Sequence, residues 1–123
     1  MDKHLIVVLF HLFFVSALFL WVGFNRAATP DWLYNVLFAM GIVVLFYHGF
    51  KAISRIGAKS PYLWINLMHV FLIAPLLIWI GFQGKKTDRS FYDMLLLAGF
   101  AVFGFHIYHA IMLAQTFVKP TEM

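Results

Sequence analysis

Four long apolar stretches separated by short polar breaks dominate the chain and leave little room for any other arrangement. They cover about residues 4–24, 32–53, 62–83 and 91–117. At a rise of ~1.5 Å per residue each can cross ~30 Å of hydrocarbon as a helix, whereas a barrel strand needs about half that length. Of the 123 residues 63% are hydrophobic and 11% charged, too few polar groups to cover a water-soluble domain. The predicted fold class is all-α: a polytopic membrane protein of four transmembrane helices, one membrane domain over 1–123. Breaks at 25–31, 54–61 and 83–89 carry Gly, Pro, Ser and charged residues, and such short connections make consecutive helices antiparallel. The first stretch exceeds the apolar core of a signal peptide, and Arg26 stands where a cleavage site near Ala28 needs a small residue, so it reads as a retained helix.

Composition also removes whole classes of chemistry. There is no cysteine, which excludes disulfides, iron–sulfur clusters and thiolate sites. No aspartate or glutamate falls mid-span, since Asp31, Asp88 and Asp93 all lie at helix starts, so carboxylate proton relays and paired-carboxylate hydrolysis are not expected. The net charge of +4 comes from scattered loop and terminal residues, which suit anionic lipid and not nucleic acid. Lys3, Lys51, Arg55, Lys59 and Lys119 on the side of the termini oppose Arg26, Lys85, Lys86 and Arg89, which places both termini in the cytoplasm.

The chain reads as one helical hairpin written twice. A shift of 58 residues aligns 5–53 with 63–111 without a gap, and 16 of 49 positions are identical. His11 meets His69, Trp21 meets Trp79, Gly23 meets Gly81, Thr29 meets Thr87, Tyr34 meets Tyr92, Gly41 meets Gly99 and His48 meets His106. Such residues rarely coincide by chance, as leucines do. Two spans per copy give both copies the same topology, which predicts a four-helix bundle with a pseudo-twofold axis along the membrane normal. Thr29 before Pro30 and Thr87 before Asp88 read as N-caps. Leu37, Gly41, Val44 and His48, with Leu95, Gly99, Val102 and His106, share an inward face on which glycine permits close helix approach. On the odd helices His11, Phe14, Leu18 and Trp21, with His69, Leu72, Leu76 and Trp79, predict a second inward seam. Tyr34, Tyr47, Tyr62, Tyr92, Trp32 and Trp64 read as interfacial belts. Asn66, an amide within the third span, is expected to bond a neighbouring helix.

The histidines carry the functional signal, because an ionisable group inside a membrane span costs insertion energy. Counted from the loops opposite the termini, His11 and His48 lie ~18 and ~25 Å up their helices, and His69 and His106 repeat those heights. All four are expected to face inward in the half-membrane nearest the termini. His4 and His109 lie closer to the surface and read as interfacial. Imidazoles in an interior without carboxylates or thiolates suit haem b or a transition-metal ion. His11, His48, His69 and His106 are therefore the candidate cofactor and metal ligands, with Gly41, Gly99 and Gly104 making room for a macrocycle. By analogy of ligand type the arrangement is similar to membrane b-type cytochromes. Tyr47-His48, the run 105–108 of Phe-His-Ile-Tyr and the run 64–69 of Trp-Ile-Asn-Leu-Met-His resemble small four-helix membrane proteins encoded by large DNA viruses. That resemblance covers most of the chain. It implies a viral or infected-cell membrane and no particular activity or ligand.

Three functions follow as expectations. The first is electron transfer, with a redox partner, or metal handling through the histidine cluster. The second is a non-catalytic structural role in which histidines tie helices, with further copies of the chain as partners. The third is a small ion or proton channel.

Overall fold

A computed structural model describes residues 3–118, with side chains described as far as Thr116. All regular structure among them is helical, in four helices long and apolar enough to cross a membrane: α1 (Lys3–Ala28), α2 (Asp31–Gly57), α3 (Leu63–Lys86) and α4 (Arg89–Val118). Each runs a few residues past its apolar stretch. The chain divides into two compact units. One, the terminal unit, joins residues up to Phe24 with those from Asp93 onward. The other, the central unit, runs from Asn25 to Tyr92.

In the central unit α2 and α3 pack antiparallel, and glycine sets how closely. A Cβ on Gly41 would lie 2.9 Å from the backbone nitrogen of Ile78, and one on Gly81 would lie 2.6 Å from that of Phe38. Both distances are below any real contact, so these backbones touch where no larger residue fits. Lipid offers no hydrophobic drive to press helices together, and this dispersion contact takes its place. Leu37, Leu77 and Ile80 are fully buried beside the glycines. The terminal unit has the same design in α1 and α4. A Cβ on Gly23 would meet Leu96 at 2.6 Å, and one on Gly99 would meet Leu20 at 2.9 Å. Gly41 and Gly99 thus lie at close approaches as the sequence predicts. Gly23 and Gly81 do too, although the sequence reading used them only to align the copies.

The predicted seam of the odd helices is buried only in part. Leu18 and Leu76 are core residues as expected, whereas Trp21, Trp79, Phe14 and Leu72 are 44–50% exposed. The buried stripe in α1 is Val8, Leu12, Val15, Ser16, Leu18, Phe19 and Val22. The cause is a π-helical turn at His11–Val15, matched in α3 at His69–Ile73. A heptad carried across an extra residue loses its face.

Connections use different end chemistry. The last turn of α2 closes with Lys59 at φ 53, while the Ser60 and Lys59 amides donate to Arg55 O and Ile56 O. This is a Schellman closure whose left-handed position holds lysine where glycine is favoured. Lys59→Gly is therefore expected to raise stability by up to about 1 kcal/mol, read as a higher melting midpoint in detergent. The predicted threonine caps are displaced by one residue. Pro30 and Asp88 occupy the positions before α2 and α4, and the Thr87 hydroxyl donates backward to Gly84 O at 2.6 Å. The Asp88 carboxylate accepts from the Ser90 amide and hydroxyl, which holds its pKa below the ordinary carboxylate value. A depressed carboxylate stabilises above its unfolded pKa and loses that contribution as pH falls through the folded one. The melting difference between the parent and Asp88→Asn should accordingly be present at neutral pH and vanish in acid.

Two residues assigned to the interfacial belt are core residues. Tyr34 and Tyr92 are 3% and 2% exposed, and their hydroxyls bond each other at 2.7 Å. Tyr34 donates its one proton to Arg26 O at 2.9 Å and accepts from Tyr92, whose hydroxyl also lies 3.3 Å from Gly84 O. Those carbonyls belong to 3₁₀ turns at Arg26–Ala28 and Gly84–Lys86, which open with Arg26 at φ 51 and Gly84 at φ 59. Lys85 closes the same end, donating to Ala27 O and Thr29 O and pairing with Asp31 at 3.7 Å. Trp32, Tyr47, Tyr62 and Trp64 are exposed as the belt reading expects.

Candidate imidazole-pair sites

Each unit brings two of the four candidate histidines together. In the terminal unit the rings of His11 and His106 stack, with centroids 4.7 Å apart and planes 12° from parallel. In the central unit His48 and His69 stack at 4.0 Å and 9°. In both cases a histidine of an odd helix lies flat against one of an even helix.

The π turns aim the odd-helix rings. Each begins at the histidine itself, and the widened turn is held by a different device in each helix. In α3 Pro75 has no N–H for the Phe71 carbonyl and crowds it, which opens the turn. In α1 Ala17 occupies the corresponding place, and the Ser16 hydroxyl donates to Leu12 O instead. The amides of Ser16 and Ala74 close the two turns on His11 O and His69 O. Pro75 and Ser16 carried no functional weight in the sequence. The signal that could have found them is position, five or six residues after a matched histidine.

The ring nitrogens are also constrained. His11, His69 and His106 place Nδ1 at 2.8, 2.6 and 2.9 Å from the carbonyls of Val7, Ile65 and Val102. A carbonyl only accepts, so each Nδ1 carries a proton, and in the neutral ring the lone pair sits on Nε2. A backbone-anchored Nδ1–H is the usual outer support of a ligating imidazole. His48 differs: its Nδ1 lies 2.8 Å from Nδ2 of Asn66. Asn66 is 2% exposed and bonds α2 as expected of it, since its Oδ1 also accepts from Arg55 at 2.7 Å. His109 and His4 make an edge contact at 6.2 Å, and His4 is exposed.

The pairs can be tested against the two expected ligands. Axial ligation of one iron by both rings of a pair needs each ring edge-on to the metal. With metal–nitrogen distances of about 2 Å this puts the centroids roughly 6 Å apart. Face-to-face stacks at 4.0 and 4.7 Å do not fit a haem between the rings of either pair. At Gly41 and Gly99 the expected room is missing, because Ile78 and Leu20 already fill it, whereas Gly104 faces open space. A single ion must likewise lie in the plane of each ring that ligates it, so one ring of a pair has to turn out of the stack before both can share the ion. Among the described residues no group of three or more histidines or carboxylates gathers to hold one, so any ion held by a pair must complete its shell with other ligands.

Compared with known proteins, the chain matches no protein-family model, no curated protein and no solved structure. Four helices able to cross a membrane define the class, and the imidazole pairs define the candidate site.

Proposed function

We propose that this chain is an integral membrane protein built by duplication of a helical hairpin, in which His11 with His106 and His48 with His69 each take up a transition-metal ion. The role would be metal handling or electron transfer. The observation that carries this reading is the pair of π turns starting at His11 and His69. They lie 58 residues apart and are sustained by unrelated devices, Ser16 and Pro75. A local distortion kept by two different chemistries is best explained by what it positions, and π turns concentrate at functional sites. The duplication draws support from the same spacing in the 3₁₀ turns, the buried tyrosines and the glycine contacts. A metal ion is preferred to haem b because stacked rings leave no space for a macrocycle between them.

The test is metal analysis of protein purified in mild detergent, with an absorption spectrum for haem. Bound Zn²⁺ or Cu²⁺ in the parent, lost at least tenfold in affinity in His11→Ala and His69→Ala and retained in His4→Ala, supports the reading. Protein supplied with both metals and haem that carries neither overturns it. The second reading is a non-catalytic membrane protein in which stacked rings tie helices together, and the absence, among the described residues, of a third histidine or carboxylate gathered with either pair favours it. In that case the alanine variants lose stability and no metal affinity exists to lose.

A further inference from the structure

The copied histidines are not chemically equivalent, and the difference lies in the residues around His48. Asn66 and Arg55 have no polar counterparts one repeat away, where Val8 and Leu113 stand. Arginine has only N–H groups to offer, so the Asn66 oxygen must face it at 2.7 Å, and the amide NH₂ is left facing His48 at 2.8 Å. Arg55 also donates to Tyr62 O at 3.2 Å, which holds it at this end of α2 and keeps the amide from turning over. An amide NH₂ only donates, so Nδ1 of His48 must accept, and the proton of its neutral ring sits on Nε2. His106 at the matching position has the opposite arrangement, with Nδ1–H on Val102 O.

We propose that Asn66, oriented by Arg55, is a positioning residue that sets the tautomer of His48 and so makes the two copied imidazole pairs different: both rings of His11–His106 carry Nδ1–H, whereas His48–His69 combines one Nε2–H ring with one Nδ1–H ring. The His48 proton has no easy alternative seat. Moving it to Nδ1 sets two donors against each other, and turning the amide sets its NH₂ against the guanidinium. This tautomer pattern stands whether or not either pair takes up metal.

The experiment uses the full chain, labelled with ¹⁵N-histidine and embedded in bilayers, with His48 assigned by the signal lost in His48→Ala. Nitrogen shifts distinguish the tautomers directly. His11, His69 and His106 are expected as Nδ1–H and His48 as Nε2–H. Asn66→Asp keeps size and the Arg55 contact but presents oxygen to both partners, so the His48 proton should move to Nδ1. A merely structural Asn66 would leave that signal where it was. Arg55→Met, which frees the amide to turn, should give His48 a mixture of both forms. Finding His48 as Nδ1–H in the parent, or unmoved in Asn66→Asp, overturns the proposal.

Discussion

Gly81→Leu is expected to lower stability by about 3 kcal/mol or more, at or beyond the upper end of ordinary overpacking costs. The neighbour it meets is the Phe38 backbone, with N, Cβ and Cα at 2.6, 2.7 and 2.8 Å from a built Cβ, and backbone cannot swing aside. Even Gly81→Ala should be costly. Gly23, the matched residue of the terminal unit, makes a sharper comparison, because its Cβ would strike the side chain of Leu96. That side chain can change rotamer, so Gly23→Ala should cost clearly less than Gly81→Ala. Gly104→Ala, with nothing within 4 Å, should be close to neutral. Thermal unfolding in one detergent ranks the variants. Equal effects at Gly81 and Gly104 would refute the close approach of α2 and α3.

Deleting Phe71 should disturb the central site more than any single side-chain change. Phe71 is 75% exposed, so its own contacts contribute little, but it lies inside the π turn His69–Ile73. Removing one residue takes out the extra residue of the turn and rotates the segment before it by ~100°, even though Pro75 still has no N–H for the carbonyl four residues back. His69 then leaves the face of His48, and Asn66 leaves both His48 and Arg55. Those groups lose their partners in a low-dielectric setting, at about 1–3 kcal/mol for a stranded neutral group and more for a charged one. The expected result is a large drop in melting temperature and a His48 nitrogen signal no longer of one tautomer. Exposed Phe46, in the straight part of α2, gives the contrasting Phe46→Ala, which should leave both readouts near the parent. An unchanged His48 signal after the deletion would show that the turn does not aim the pair.

Much of this architecture was legible in the residues. Four apolar stretches located four helices to within a few positions, because in lipid each backbone amide must be satisfied inside its own helix and length alone sets the span. Gly41 and Gly99, Asn66 as a bond between helices, and the histidines as neighbours also followed from pattern, since spacing along a helix decides which residues share a face. The pattern went wrong where the local backbone departs from 3.6 residues per turn. Across His11–Val15 it put Trp21 and Phe14 inside, and the fold puts them outside. It also could not tell a belt tyrosine from a core one, because Tyr34 and Tyr92 are buried by carbonyls that only the 3₁₀ turns of Arg26 and Gly84 turn toward them. The sequence by itself determined the helices, their order and the residue types available for chemistry. Only the tertiary structure decided that histidines pair face to face, which carbonyl or amide each Nδ1 meets, and hence which nitrogen holds the proton. Those outcomes depend on distances of a few tenths of an ångström between separate helices, and nothing in the spacing along one helix encodes them.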